Sequence, residues 1–553
     1  MIHGGVRYLE KAVKQFDPGQ LALVFDALHE RATFLSIAPH LTRKLPIMTP
    51  CYSWWEIPYY WAGMKMYDAL SFTRRLGSSR YASAKESAIQ FPVIRTQGLK
   101  GSIVYFDGQM DDSRMNVSLA MTAAANGATV ANHVEVVDLI HEKVERIIPI
   151  PQVTAPNGVE KAPVSGHVKT GDSATAAGNE SADKTSASVG STEILQVRKV
   201  VEDKVVGAKV RDVLTGEQWD VYAKTVVNAT GPFVDALREK DAGKPLSKMI
   251  TPSSGTHVVL PDYYAPIEMG MIIPKTEDGR VVFLIPWQGK VVAGTTDAPC
   301  ELTAEPRPTE NEISFILRAI AGYTSVAVRR EDVMAAWTGI RPLASDPHAG
   351  NTENLVRDHI INVSPTGMLT ITGGKWTTYR KMASDVVDTL IKHNHFNKNL
   401  RECTTESTQL LGAPGWNRGL FLHLIQNYHR VKHTSGSNHI APMCSDIAQH
   451  LSHSYGVRSF MVAELAQQGY GKRLAHGHPY IEAEVVHAVK SEFALTAVDV
   501  LARRLRLAFL DAEGARQALP RTLDIMADLL QWDEQKKESE RVAALRFLQT
   551  MEA

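Results

Sequence analysis

The apolar positions of this chain change period several times, and each change marks an element. Behind Asp17-Pro-Gly-Gln20, the residues Leu21, Val24, Phe25, Leu28, Ala32 and Leu35 recur at helical spacing. An acidic cap, a first-turn proline and a glutamine three on predict a packed helix opening at Asp17. Asp111 to Ala120 opens a second helix with an acidic first turn, and Asn126-Gly127 stops it. Ala128 to Val137 then reads as a strand, so helix, glycine stop and strand suggest part of a doubly wound sheet. Valine-rich alternation from Ile194 to Val213, a Thr215-Gly216 turn and the run Trp219 to Val227 predict a hairpin ending at Asn228-Ala-Thr-Gly-Pro232.

Three more β-patterned runs, 252–260, 280–287 and 291–297, are separated by turn residues and predict a largely antiparallel sheet. Met368 to Thr372 is a short β-branched run that meets Gly373-Gly374 and then helix-compatible residues: strand, tight turn, helix start. After Ser407 helical periodicity continues to Phe547, with a polar interruption at Thr434 to Asn438. Leu501, Leu505 and Phe509 are spaced at four, and Arg503, Arg504 and Arg506 fall on the other faces, where a solvated or salt-bridged surface is expected.

Two stretches break the pattern. Pro151 to Thr192 is rich in Pro, Gly, Ser, Thr, Ala and Lys with almost no large apolar residue, too little to offset its ordering entropy, and predicts a disordered surface loop between two strands. Tyr52-Ser-Trp-Trp-Glu-Ile-Pro-Tyr-Tyr-Trp61 is aromatic enough for an interior wedge or an interfacial belt at a membrane, with interior or cap packing expected.

Composition narrows the function classes. The 553 residues support two to four domains, and a hydrophobic fraction of 44% is that of a globular protein. Lysine plus arginine equals aspartate plus glutamate at 60 each, so no global field points to nucleic acid. Four dispersed cysteines with no C-x-x-C argue against a zinc site or a disulfide framework and are expected as buried thiols. No apolar run approaches the ~18 residues of a membrane span, and Met1 to Pro18 has no apolar signal core, so membrane contact is expected to be peripheral.

The candidate chemistry sits at glycine turns and isolated cations. At Gly373-Gly374 the missing side chains and the new helix start favour a close negative ligand, and Lys375 adds a full charge. His3-Gly4-Gly5 is a backbone-accessible turn followed by Arg7 and Tyr8, and a guanidinium fork suits phosphate. Ala229-Thr230-Gly231 again lets a strand run into a glycine turn. His257 lies on a strand, where a histidine is either a core residue or a base. Arg341, locked by Pro342, is expected at a strand end, with Arg357 following a polar loop; Asp297 reads as a turn residue rather than a catalyst.

Taken together, Ile2-His-Gly-Gly-Val-Arg-Tyr-Leu-Glu10, Val226-Val-Asn-Ala-Thr-Gly-Pro232, Thr338-Gly-Ile-Arg-Pro-Leu343, Gly373-Gly-Lys-Trp-Thr-Thr-Tyr-Arg380 and Phe493 to Ala508 resemble the FAD-dependent, mitochondrial-type glycerol-3-phosphate dehydrogenases from Ile2 to the last helices. The resemblance implies an α/β and α+β architecture: an FAD-binding doubly wound domain of the glutathione-reductase/amino-acid-oxidase type, incomplete at its N-terminus, an antiparallel-sheet substrate domain and an all-helical C-terminal domain. On that reading residues 1–50, 106–240 and 346–398 belong to the FAD domain, 51–105 and 241–345 to the substrate and cap region, and 399–553 to the helical domain. It further implies FAD contacts at His3, Gly4, Gly5, Val134, Ala229, Thr230, Gly231, Gly373, Gly374, Lys375 and Thr377.

For substrate, the resemblance implies His257 as base and Arg341 as its electrostatic partner, with Arg7, Tyr8, Arg357 and Lys375 on the phosphate of glycerol 3-phosphate. Four cations from three regions would repel one another without an anion. Electrons would pass to ubiquinone at the mitochondrial inner membrane, and a homodimer stays open. No D-x-[DN]-x-[DN]-G pattern occurs in the sequence, so calcium regulation is not expected. The sequence departs from the family in one respect: the opening strand, G-x-G-x-x-G turn and helix that hold the FAD pyrophosphate are absent. Two alternatives therefore stand beside the dehydrogenase reading, a same-fold oxidase using oxygen and a truncated, non-catalytic fragment unable to hold FAD.

Overall fold

Asp17 opens the first long helix by accepting hydrogen bonds from the Gly19 and Gln20 amides at 2.9 and 3.3 Å, and Pro18–Ile37 follows. This computed structural model describes residues 1–5, 9, 14, 16–149, 197–276, 279–345, 355–356, 358–394, 400–428 and 442–552. The segment Pro151 to Thr192, together with Arg7, Tyr8 and Arg357, lies outside the described residues.

A ten-stranded sheet forms the centre. In spatial order it runs Leu355–Val356, Ala335–Ser345, Ile250–Leu260, Lys290–Gly294, Val282–Trp287, Gly270–Ile273, Thr42–Cys51, Gly101–Met110 and Arg80–Ser83, with Ala298–Pro299 paired to the start of Ile250–Leu260. Its pairings are antiparallel except Thr42–Cys51 with Gly270–Ile273, as the alternating runs predicted. The expected boundaries at residues 50 and 105 cut across this sheet, because Thr42–Cys51 pairs along its length with Gly101–Met110. One face buries Met48, Val104, Val258, Met271 and Leu284 beneath the helix Glu310–Ala321, which contributes Ile313, Ile316 and Ile320. That helix is opened by a reciprocal Thr309–Glu312 capping box.

Two smaller sheets flank it. His359–Val363, Leu369–Gly373 and Val227–Asn228 form one, in which Leu369 lies opposite Val227 in a parallel pair. Val134–Pro149, Val197–Asp212 and Gln218–Tyr222 form the other, wholly antiparallel. The strand expected after Gly127 therefore starts at Val134 and enters an antiparallel meander instead of a doubly wound sheet. Alternation specifies a strand but not the direction of its partner.

The C-terminal helices Glu482–Ser491, Ala512–Leu530 and Glu534–Gln549 close around Val485, Val486, Leu501, Leu505, Leu519 and Leu523, and Trp287 of the central sheet joins the same core. The regular spacing expected for Leu501, Leu505 and Phe509 is interrupted: the Leu505 amide bonds the Val500 carbonyl five residues back, and Arg506 adopts φ 63°. All three side chains still face that core, because the wider turn rephases the chain. Arg504 points inward and donates to the Glu492 carbonyl, so the expected basic outer face is largely absorbed into packing.

Two further expectations change. Among the cysteines, all free, Cys51 is buried and Cys300 half-buried, whereas Cys403 and Cys444 are exposed. The aromatic run is turned outward: Trp54, Trp55 and Trp61 are 68%, 58% and 46% exposed. The helix Glu56–Leu70 instead buries Met64 and Tyr67, with Ile57 and Tyr60 partly covered on the same face, and that three-and-four spacing leaves the tryptophans outside.

Candidate active site

Antiparallel register builds the reactive wall. Ile250–Leu260 and Ala335–Ser345 pair so that His257 lies opposite Trp337 and Ser253 opposite Arg341. Arg341 is thus inside its strand rather than at the end. On the other side of Ile250–Leu260, Gly294 lies opposite His257, and a Cβ there would come within 2.5 Å of the His257 ring. A Cβ on Gly255 would come within 2.3 Å of Arg341 Nη2. The two glycines make room for the imidazole and the guanidinium.

Arg341 is fixed by the Ser254 and Thr296 carbonyls at 3.0 and 3.1 Å and by Thr295 Oγ1 at 2.9 Å. Asp297 stands 3.4 Å from its Nη1 and also accepts from Ser253 Oγ. Asp297 therefore orders the arginine from behind. Burial, reinforced by the Arg341 charge, pushes the His257 imidazole down to about 3. Its Nδ1 is buried and makes no hydrogen bond among the described residues. The ring is neutral at neutral pH and can accept a proton.

These side chains share a cavity of about 740 Å³ with His3, Trp337, Trp376 and Arg506. His3 is carried there by a short bridge of Ile2 to Gly108 and by a 3.2 Å bond from the Gly4 amide to Asp107 Oδ1. Gly4 has to be glycine, since a Cβ would lie 2.2 Å from the Tyr67 hydroxyl; Gly5 has φ 82°. Behind the turn, buried Asp107 accepts from Arg31 at 2.7 Å and from Tyr67 at 2.9 Å. Nothing local in the sequence pointed to this trio, whose members are far apart along the chain.

The second glycine turn follows the predicted order. Leu369–Gly373 leads through Gly374 and Lys375 into a short turn at Trp376–Thr378 and the helix Tyr379–Asn394. Gly373 and Gly374 have φ 77° and 68°, and Cβ atoms there would collide with Ala344 and with Met382. Thr377 is buried, Lys375 half-buried, and Trp376 reaches the cavity. Ala229, Thr230 and Gly231 follow the neighbouring parallel strand, with the first two exposed and Gly231, at φ 59°, facing open space. Glycine turns at the carboxyl ends of adjacent parallel strands are where a dinucleotide meets backbone, so these residues fit FAD. Val134 begins its strand beside His133, which bonds Asp499 at 2.7 Å.

Of the expected substrate cations, Arg341 lines the cavity and Lys375 does not, while Arg7 and Arg357, like the Tyr8 phenol, are outside the described residues. Arg506, which sequence reasoning left as part of a helix face, is the second arginine in the cavity. Its only local mark was membership of the Phe493 to Ala508 stretch.

Comparison with known proteins identifies the family. Residues 1–198 and 189–380 match the family described as FAD dependent oxidoreductase, and 403–537 match the C-terminal domain of alpha-glycerophosphate oxidase. A mitochondrial glycerol-3-phosphate dehydrogenase of Arabidopsis thaliana is 47% identical over 560 residues, covering 100% of this chain and 80% of that relative. The mitochondrial glycerol-3-phosphate dehydrogenase of Homo sapiens is 41% identical over 556 residues, covering 99% and 67%. A glycerol-3-phosphate dehydrogenase from Bacillus halodurans, solved with FAD, shares the fold with TM-score 0.66 and 24% identity over 95% of this chain and 85% of that one. Fold and site define an FAD-dependent oxidoreductase. Identity at this level across the whole chain takes the assignment one step further: the protein belongs to the mitochondrial-type glycerol-3-phosphate dehydrogenases.

Proposed function

We propose that this chain oxidises sn-glycerol 3-phosphate to dihydroxyacetone phosphate, and that the observation carrying this reading is the pairing of a neutral, half-buried His257 with Arg341 in one cavity of a family member. FAD, when bound, supplies the acceptor for the C2 hydride. The residues around His3 to Gly5, Ala229 to Gly231, Gly373 to Lys375, Thr377 and Val134 would hold it.

His257, on the cavity wall, takes the proton of the C2 hydroxyl, a role for which a neutral ring is suited. Arg341, already oriented by two carbonyls and a threonine, stabilises negative charge growing on that oxygen. The imidazolium formed is disfavoured by burial and by Arg341, and the substrate phosphate offsets part of that cost by bringing negative charge into the cavity. Arg7, Tyr8 and Arg357 orient the phosphate in this reading, with Lys375, outside the cavity lining, kept to the FAD turn.

Electrons then leave to a quinone. Among the described residues no helix is long and apolar enough to cross a membrane. A peripheral contact fits the outward Trp54, Trp55 and Trp61, whose rings carry Lys100, Lys275 and Lys65 at 5.7, 4.8 and 5.8 Å. The relatives' mitochondrial names make the mitochondrial inner membrane the location this reading assigns, and association into a homodimer belongs to the same reading.

The test is the visible spectrum of the chain incubated with FAD, under anaerobic conditions, before and after glycerol 3-phosphate. Flavin bands that co-purify and bleach on addition support the reading. A chain that retains no flavin, or whose bands do not bleach, overturns it.

A further inference from the structure

The cavity holds a cation that the chemistry above leaves unused. Arg506 reaches it from the C-terminal helical domain, whereas His257 and Arg341 come from the sheet. Its backbone sits at φ 63° and ψ 8°, a left-handed conformation that a long side chain adopts only when its surroundings impose it. The widened turn before it, closed by the Leu505 to Val500 bond, is that imposition. The guanidinium lies 5.3 Å from the Trp287 ring centre and 4.2 Å from that of Phe509. Two aromatic faces fix it without using its donors.

Those donors are mostly uncommitted. Nη2 meets Asp112 Oδ1 at 3.1 Å, and Nε is buried with no partner among the described residues. Arg506 is 12% exposed, Asp112 43%. A partner this exposed is a weak claim on a nearly buried guanidinium. Among the described residues Asp112 is also the one carboxylate lining the cavity, against two arginines.

From this geometry we propose that Arg506 is a substrate-binding residue for the phosphate group, with Asp112 its counter-ion in the substrate-free site. This rests on the glycerol 3-phosphate reading and deepens it. A dianion reaching the fork can take two N–H donors at once, which Asp112 does not, and displaces it. The helical domain then helps to decide between phosphorylated and neutral polyols. A sequence of rings joins it to the base: Arg506 on Phe509, Phe509 5.6 Å from Trp337, and Trp337 stacked on His257.

The experiment compares wild type, Arg506→Gln, Arg506→Lys, Asp112→Asn and the Arg506→Gln/Asp112→Asn double variant, all FAD-loaded, with glycerol 3-phosphate and with glycerol. Inorganic phosphate serves as a separate binding probe, read by the rise in Tm it produces. Arg506→Gln is expected to lower kcat/KM for glycerol 3-phosphate roughly 10- to 100-fold, chiefly in KM, to lower it by a smaller factor for glycerol, and to abolish the phosphate-dependent rise in Tm. Arg506→Lys, keeping charge without the fork, recovers part of the affinity. Asp112→Asn lowers KM in the wild-type background and has no effect on it when Arg506 is glutamine.

Equal losses for glycerol and glycerol 3-phosphate, or an unchanged phosphate effect in Arg506→Gln, would overturn the proposal and leave Arg506 as an interdomain clamp. Should the glutamine variant fail to fold, wild-type phosphate affinity in Arg506→Lys overturns it in the same way, and weakened affinity supports it. If wild type itself neither turns over glycerol 3-phosphate nor responds to phosphate, the substrate reading falls first. Normal wild-type turnover with an indifferent Arg506 sinks this inference alone.

Discussion

His257 lies face to face with Trp337, ring centres 4.3 Å apart and planes inclined by 17°. The stack follows from direct cross-strand register, and it holds the half-buried imidazole beside Arg341 on the cavity wall. Position and protonation state therefore share an origin: the pairing that aims the ring also covers one of its faces and sets it beside the Arg341 charge, and both disfavour the imidazolium.

The first prediction concerns pH. With its folded value near 3 and an ordinary value of 6.5, His257 stays neutral in the native protein as pH falls from 8 to 5. The acid limb of kcat/KM, which reports the free enzyme, should therefore show no His257 step near 6.5. For stability the sign is that of a depressed histidine: the unfolded chain takes up the proton first. The neutral-ring contribution is complete above about 6.5 and is lost as pH falls toward 3. His257→Gln should cut kcat by roughly 100- to 10,000-fold with a small change in KM. It should also reduce the difference in Tm between pH 7.5 and 4.5; a kcat within threefold of wild type would exclude His257 as the base.

Gly294→Ala tests the slot itself. The added Cβ would sit 2.5 Å from His257 Cδ2, too close for a ring already confined by Trp337, so ring or strand has to shift. Overpacking of this kind costs about 1–3 kcal/mol. The expected result is a lowered urea midpoint together with at least a tenfold fall in kcat. Wild-type kcat in a correctly folded Gly294→Ala protein would show that the imidazole need not be held where it is.

Much of this was legible because it is local. Asp17 capping a helix, Gly127 ending one, and Gly373-Gly374 turning a strand into a helix are decided within four or five residues, by side-chain acceptors and by φ. His257 and Arg341 stood out as polar groups in strand patterns, and the register brought them together. What was not legible depends on distant pairing or on exceptions to periodicity. The Val134–Pro149 strand looks the same whether its partner is parallel or antiparallel. The leucines at 501 and 505 read as an ordinary helix, hiding the wide turn that redirects Arg506 into the cavity. The tryptophans at 54, 55 and 61 were legible as aromatic but not as outward, because burial depends on which helix face the sheet covers.

Asp107 provides a third prediction, on cofactor retention. Arg31 and Asp107 are each 1% exposed and 2.7 Å apart, and the carboxylate also receives the Tyr67 hydroxyl and the Gly4 amide. Asp107→Ala leaves the Arg31 charge buried without its partner, a change that costs about 3–5 kcal/mol. The His3 to Gly5 turn loses its anchor at the same time. We expect a fall in urea midpoint and a weaker FAD affinity measured by flavin fluorescence. Loss of stability with unaltered FAD affinity would mean that the trio supports the fold without setting the turn.

The last prediction addresses the joint that carries Arg506. Arg114, on the helix Asp112–Ala125, makes a two-pronged contact with Glu492 at 2.7 Å on each prong, both side chains buried, and also lies 4.2 Å from the Tyr455 ring centre. Burial pushes the Glu492 carboxyl up, but Arg114, with His487 behind it, overrides this and holds it well below the usual carboxylate range. A depressed carboxylate contributes stability that is fully present above its unfolded value near 4.5 and is lost as pH falls through the folded one. The joint should therefore hold at pH 6 and weaken progressively below about 4.5. Glu492→Gln removes the charge but keeps the shape, leaving Arg114 buried and uncompensated, for an expected loss of about 3–5 kcal/mol. Because Asp112 opens the helix that bears Arg114, and Arg506 pairs with Asp112, loosening this joint should raise KM for glycerol 3-phosphate before the sheet that carries His257 is disturbed. Hydrogen exchange would then show faster opening in Glu482–Ser491 and Asp112–Ala125 with unchanged protection in Ile250–Leu260. Uniform loss of protection across all three would mean that helices and sheet unfold as a single unit and that the joint has no separate role.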